Sequence, residues 1–169
     1  MIRVHTIISG GQTGADRGGF DAAIALGLRR GGMAPAGWRS EDGEIPARYR
    51  VGMMQSGSAA YPVRTRSNVE ASSGTLIVSF GQLAAESGSV LTANLARKMF
   101  KPCLHVEIWP DGHFHSVGGD RLRTWLDGHS IQILNVAGPR ESREPGLQAA
   151  TCAALVAILR EDDGFGGDA

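Results

Sequence analysis

The stretch Gly10-Gly11-Gln12-Thr13-Gly14-Ala15-Asp16-Arg17 concentrates more usable chemistry than any other part of this sequence. Its three glycines let the backbone come close to a bound group, and a helix starting just after them points unpaired N–H groups at it, which suits an anion. Thr13 adds a hydroxyl and Arg17 a charge-assisted donor, while Asp16 stands where a carboxylate favours the start of a helix. The spacing is not the Walker pattern, because no Gly-Lys-Ser/Thr follows, and it is not the dinucleotide G-x-G-x-x-G either. A glycine turn that serves only packing is the competing reading.

Two further stretches have related chemistry. Gly81 to Thr92 contains Glu86-Ser87-Gly88-Ser89 ahead of a helix, suited to a second anion or a hydroxyl through backbone N–H groups and serine oxygens, with ordinary surface as the alternative for Glu86. Asn135 to Ser142 sets Arg140 beside Gly138-Pro139 and ahead of Glu141, where its guanidinium can clamp an oxyanion bidentately or pair with Glu141 or Glu144 instead. His113 and His115 share one side of an extended segment, yet no carboxylate or cysteine partner is evident, so a surface hairpin is expected. Trp38 and Tyr61 can stack on a flat ring or simply pack. No Ser/His/Asp or Cys/His set can be assigned.

These residues need strands and helices to place them. Val4 to Ser9 is a short apolar run ending in glycines, as in a buried parallel strand, and Phe20, Ala23, Ile24 and Leu28 then recur at helical spacing. A short strand is expected near Gly32 to Ala34, followed by a long irregular segment, residues 35–66, of the kind that is functional or mobile in compact domains. Thr75 to Phe80 repeats the strand, and Leu91, Leu95 and Met99 mark the helix after it. Cys103 to Ile108 makes another strand, with a tight turn at Trp109-Pro110-Asp111-Gly112 that suits a hairpin. A helix through Leu122 and Leu126, a strand Ile131 to Val136 and a helix through Leu147, Ala150, Ala154 and Ile158, with Pro145 in its first turn, complete the series. Strands alternating with helices imply an α/β, Rossmann-like three-layer fold, its sheet mainly parallel with helices on both faces. All three loops singled out follow a strand and precede a helix, the edge where such sheets bind ligands.

The chain has 169 residues. That length suits one domain, expected over 1–161, with 162–169 as a frayed tail. Zero formal net charge gives no long-range attraction for nucleic acid or an anionic membrane. Residues 1–66 nevertheless hold nine arginines against five acidic residues, so an anionic ligand would meet that part first, with solvated surface arginines as the alternative. Cys103 and Cys152 lack zinc-ligand spacing and read as reduced, packed thiols. The first residues enter a strand pattern without a signal-peptide core, and no apolar run is long enough to span a bilayer, so a cytoplasmic location is expected.

Ile8 to Gly18 together with Gly37-Trp38-Arg39-Ser40-Glu41-Asp42-Gly43-Glu44-Ile45-Pro46 resembles the molybdenum carrier protein family. Arg64-Thr65-Arg66-Ser67-Asn68-Val69, Leu91-Thr92-Ala93, Lys101 to Val106 and Asn135 to Ser142 are similar to that family's later blocks, so the likeness spans nearly the whole chain. It implies a superfamily shared with the "Lonely Guy" phosphoribohydrolases, whose members bind nucleotide-like or phosphorylated ligands. The implied ligand is molybdenum cofactor, its terminal phosphate on the first glycine turn and its oxo-metal end against arginines and serines. The implied site draws on Gly10, Gly11, Gln12, Thr13, Gly14, Asp16 and Arg17, on Gly81, Glu86, Ser87, Gly88, Ser89 and Thr92, and on Gly138, Pro139, Arg140, Glu141 and Ser142. A homo-oligomer, dimer or tetramer, and a recipient molybdoenzyme are implied as partners. The phosphoribohydrolases carry Pro-Gly-Gly-x-Gly-Thr-x-x-Glu, and aligning Gly88-Ser89 with its Gly-Thr puts Thr92 at the catalytic glutamate, where a threonine cannot act as a carboxylate. A non-catalytic carrier or storage protein is therefore expected. The alternatives are an N-glycosidase acting on a nucleoside monophosphate, with Glu86 as its only candidate carboxylate, and a nucleotide sensor.

Overall fold

A computed structural model describes residues 4–160. The expected tail, 162–169, lies outside the described residues. Six strands form one parallel sheet: β1 (Thr6–Ile8), β2 (Arg29–Ala34), β5 (Met53–Gln55), β6 (Gly74–Ser79), β7 (Cys103–Glu107) and β8 (Ile133–Ala137), in the spatial order β5-β2-β1-β8-β6-β7. Two short strands, β3 (Arg39–Ser40) and β4 (Gly43–Glu44), pair antiparallel as a separate hairpin. The helices are α1 (Ala15–Leu26), α2 (Tyr61–Ala71), α3 (Gly88–Lys98), α4 (Gly118–Gly128) and α5 (Leu147–Arg160). This is the Rossmann-like α/β arrangement expected from the alternation of strand and helix patterns.

Alternation along β6 shows how the layers form. Leu76 and Val78 enter the larger apolar cluster, with Ala22 and Ala23 of α1, Leu122 and Leu126 of α4, and Leu147, Leu155 and Ile158 of α5. Thr75, Ile77 and Ser79 alternate with them and point to the other face, the side of α2 and α3. Close packing of α1 on the sheet depends on a missing side chain, because a Cβ on Gly19 would lie 2.8 Å from Val136 Cβ. A smaller cluster of Phe20, Ala34, Ile45, Tyr49 and Met53 fastens the segment between β2 and β5 to the outer side of α1.

Residues 35–66 depart from expectation. They contain two 3-10 turns (36–38 and 47–49), the β3–β4 hairpin, edge strand β5 and the first turns of α2. The pattern conceals α2 because the helix is polar almost all round and buries only Thr65, Asn68 and Val69. Three-residue β5 is too short to show alternation. The other boundaries move by a few residues: β2 starts at Arg29, and β8 runs Ile133–Ala137. The hairpin at Trp109–Gly112 forms, with an isolated antiparallel bridge between Ile108 and Phe114. Pro145 falls two residues ahead of α5.

Strand order reverses around β1 and β8. They lie side by side with Ile8 opposite Asn135, so the turns at Gly10 and Gly138 leave the sheet at one edge, next to each other. No helix among the described residues is long and apolar enough to cross a membrane.

Candidate functional site

The first turn is built on left-handed glycines: Gly11 has φ 74° and Gly14 φ 80°, a region that residues with a Cβ enter only under strain. It interlocks with the third loop. A Cβ on Gly14 would fall 2.3 Å from Pro139 O and one on Gly138 2.2 Å from Val78 O, while Ala15 N donates to Pro139 O at 3.3 Å. Gly10, Gly14 and Gly138 therefore serve the approach of protein to protein.

The amides expected to be free are largely in use. Gly11 N donates to Ser9 Oγ (3.1 Å), Gln12 N to Asp16 Oδ2 (3.2 Å) and Thr13 N to Gln12 Oε1 (3.0 Å). Arg64 lies flat against Gly10, where a Cβ would touch its guanidinium, and Ile45 covers Gly11. Asp16 is buried and faces Arg64 Nη1 at 3.3 Å. Burial pushes its carboxyl up, against the pull of the Arg64 charge and of the Gln12 and Gly10 amides. Arg17, only 5% exposed, is also committed: its Nε donates to Gly11 O, its Nη1 and Nη2 reach Asp42 at 2.7 and 2.8 Å, and Nη2 also meets Ser40 Oγ at 3.0 Å. That bidentate pair holds the Asp42 carboxyl down to about 2. A row of unoccupied backbone amides is thus not what the turn presents.

An anion position exists nonetheless, and a side chain of this protein fills it. Glu41, at the tip of the β3–β4 hairpin, accepts short hydrogen bonds from the Thr13 and Ser142 hydroxyls and a further one from Ser142 N at 3.2 Å. Glu141 N donates to Thr13 Oγ1 at 3.2 Å, orienting that hydroxyl toward Glu41. Burial would raise the Glu41 carboxyl, but the Ser142 and Thr13 hydrogen bonds and the Arg140 charge together hold it below its ordinary value. Arg140 pairs with neither Glu141 nor Glu144; its guanidinium stacks over the Tyr61 ring at 5.0 Å, with Arg64 5.7 Å from the same ring. Glu141 instead accepts from Gly146 N just ahead of α5 and from Gln148 N in its first turn, and Glu144 accepts from Phe80 N at 2.6 Å.

Two polar atoms in this cluster lack a partner, Arg64 Nε and Gln12 Nε2. Gln12 is 5% exposed, its Oε1 accepts from Thr13 N and Glu41 N, and its Nε2 meets no acceptor. A buried donor left unpaired costs about 1–3 kcal/mol, so the site has a use for an oxygen atom there.

The second loop stays apart. Gly81 and Gly88 face open space, Glu86 is exposed and takes no part in hydrogen bonds or ion pairs, and Ser87 caps α3 by accepting from Val90 N at 3.2 Å. Ser89 and Thr92 are buried on α3, with the Thr92 hydroxyl donating to Gly88 O. Of the other candidates, Trp38 packs on the smaller cluster beneath Arg50. His113 and His115 pair separately, with Asp111 and Glu107, and the described residues hold no group of three that would bind a metal. Burial pushes the Cys103 thiol up to about 11, in keeping with an inert packed cysteine.

Sequence reasoning gave no role to Glu41, Asp42 or Arg64. All three stand in blocks of the family resemblance, and that likeness was the only sign of them, since nothing in their spacing ties them to residues 10–17.

A Rossmann-like sheet with its candidate site at the strand-order reversal defines the class. Residues 7–159 match the circularly permutated YpsA SLOG family, and the chain belongs to it. It is also similar to a solved protein described as "Putative molybdenum carrier protein", from Syntrophus aciditrophicus SB, whose crystal structure was determined at 1.45 Å: 38% identity, TM-score 0.84, covering 94% of this chain and 96% of that one. No curated protein sequence matches.

Proposed function

We propose that the protein binds a small phosphorylated ligand at the C-terminal edge of its sheet and carries or stores it without transforming it. The observation that carries this reading is the Glu41 carboxylate held by Thr13, Ser142 and the charge of Arg140. Two hydroxyls and a backbone amide around one pair of oxygens, with a guanidinium charge nearby, make the donor set of an oxyanion site. The unpaired Gln12 Nε2 adds a donor still without an acceptor. Thr92 in place of a carboxylate, its hydroxyl turned onto Gly88 O, supports carriage over hydrolysis.

Molybdenum cofactor is the ligand that the name of the structural neighbour supports. Its phosphate would be held by Gln12, Thr13, Arg140 and Ser142, and the open second loop, Gly81 and Ser87 to Thr92, would meet the remainder. This reading makes the protein a cytoplasmic homo-oligomer that passes its ligand to a recipient molybdoenzyme. The test is to load purified protein with the cofactor and measure retained molybdenum together with oxidised-pterin fluorescence. Retention of both is expected; retention no greater than that of an unrelated Rossmann-like protein removes the reading.

One observation favours a second reading, hydrolysis of the N-glycosidic bond of a nucleoside monophosphate. A carboxylate held ionised at neutral pH does stand at the glycine turn, and it is Glu41 rather than Glu86. Release of free base from a nucleotide panel, abolished by Glu41→Gln and untouched by Glu86→Ala, would establish it.

A further inference from the structure

We propose that the β3–β4 hairpin is a lid closed on its own carboxylate: Glu41 occupies the oxyanion position formed by Thr13 and Ser142 within the field of Arg140, and a ligand's phosphate enters by displacing it. This inference rests on the proposed binding function and adds how the site is opened and what sets its affinity.

The hairpin is fastened at its tip. Glu41 N is held by Gln12 Oε1 at 3.0 Å and its carboxylate by Thr13 and Ser142, while Asp42 is clamped by Arg17 and Ser40. On either side of it lie left-handed glycines, Gly37 (φ 77°), whose N–H donates to Gln55 Oε1 at 2.6 Å, and Gly43 (φ 113°), which faces open space. The tip is therefore pinned by polar contacts alone. Ile45, just past the hairpin, is anchored in the smaller apolar cluster. Such a segment can lift without exposing core.

Two concavities, of about 470 and 530 Å³, run along β7 and α4, away from the glycine turn, whose donors are taken up by Glu41 itself. Two anions cannot share one set of donors without strong repulsion, so a phosphate bound here and Glu41 in its present place exclude each other. When the tip lifts, Gln12 Oε1 loses Glu41 N but keeps Thr13 N, so its amide stays in place. The unpaired Nε2, buried under the tip, then gains the incoming oxygen as acceptor. The lid thus trades one carboxylate for an anion with more oxygens and more charge, which favours phosphate-sized oxyanions over monocarboxylates.

The experiment titrates inorganic phosphate into wild type, Glu41→Gln and Asp42→Asn by calorimetry, with hydrogen exchange followed over residues 39–45. Glu41→Gln removes the competing charge and is expected to bind phosphate about tenfold more tightly. Asp42→Asn loosens the tip while leaving the donors intact and is expected to gain about threefold. In wild type, phosphate is expected to raise exchange over 39–45. Should Glu41→Gln fail to fold, Asp42→Asn and the wild-type exchange carry the test. Equal phosphate affinity in all folded proteins, with exchange over 39–45 unchanged by phosphate, overturns the lid and leaves the binding site standing. Absence of phosphate binding from every protein overturns the binding site, and the lid with it.

Discussion

The turn after β1 and the turn after β6 obey one local rule, an apolar parallel strand running into glycine and serine and then a helix, yet they finish in opposite states. In the first, Arg64, Ile45 and Pro139 press against the glycines, the Glu41 tip engages Gln12 and Thr13, and nearly every donor has an acceptor. In the second, Gly81 and Gly88 face open space and Glu86 stands alone. The difference arises outside the turns. Segment 37–46 and helix α2 close over the first turn, whereas at the second turn only Glu144 is held by Phe80 N and the glycines stay uncovered. A glycine turn at a strand end thus defines a place for a ligand, and a distant segment decides whether that place is open.

Substituting the glycines should break the comparison most sharply. Gly138→Ala sets a methyl group 2.2 Å from Val78 O, and Gly14→Ala forces a left-handed backbone against Pro139 O. Each is expected to cost about 3 kcal/mol or more in urea unfolding, from overpacking and backbone strain. Gly88→Ala, at the open start of α3, is expected to gain about 0.5–1 kcal/mol by reducing the freedom of the unfolded chain and favouring helix. Similar melting curves for all three would mean that the first turn is not interlocked as described.

The contrast also separates what the sequence could say from what it could not. Strand and helix periods revealed β1, β6, β7, the helices α1, α3, α4 and α5, and hence the edge where a site belongs, because those elements bury one apolar face. The loops carrying Thr13, Arg140 and Ser142 followed from that order. Helix α2 gave no such pattern, its buried positions being Thr65, Asn68 and Val69. Glu41 and Arg64 reach the turn from 28 and 48 residues away, a proximity that only the folded sheet creates. For the same reason Arg17 read as a ligand donor, when its partner is Asp42.

Arg17 offers the next-largest effect. Its guanidinium is nearly buried while Asp42 is about half exposed, so the pair lies between a surface bridge and a fully buried one. Arg17→Met removes the donor to Gly11 O and leaves Asp42 with Ser40 Oγ alone, and it is expected to cost about 2 kcal/mol. Glu86→Ala, the same kind of change at the open turn, is expected to stay within about 0.5 kcal/mol. Chemical denaturation of the two variants measures both. An Arg17→Met protein as stable as Glu86→Ala would place the weight of the lid elsewhere.

The smallest effect carries its own pH signature. Asp42 keeps its carboxyl at about 2 in the folded protein against an ordinary 3.8, because Arg17 stabilises the ionised form. A folded-state value below the unfolded one contributes stability that is fully present above the unfolded value and is lost as pH falls through the folded value. The stability gap between wild type and Asp42→Asn should therefore be constant from neutral pH to about pH 5 and should close between about pH 4 and pH 2. With half of Asp42 in water, solvent screening limits that gap to about 1 kcal/mol. Glu86→Gln, lacking any partner, should show no such closing. If the Asp42→Asn gap stayed flat to pH 2, the Arg17 contact would not be what fastens the hairpin, and Glu41 alone would have to keep the first turn shut.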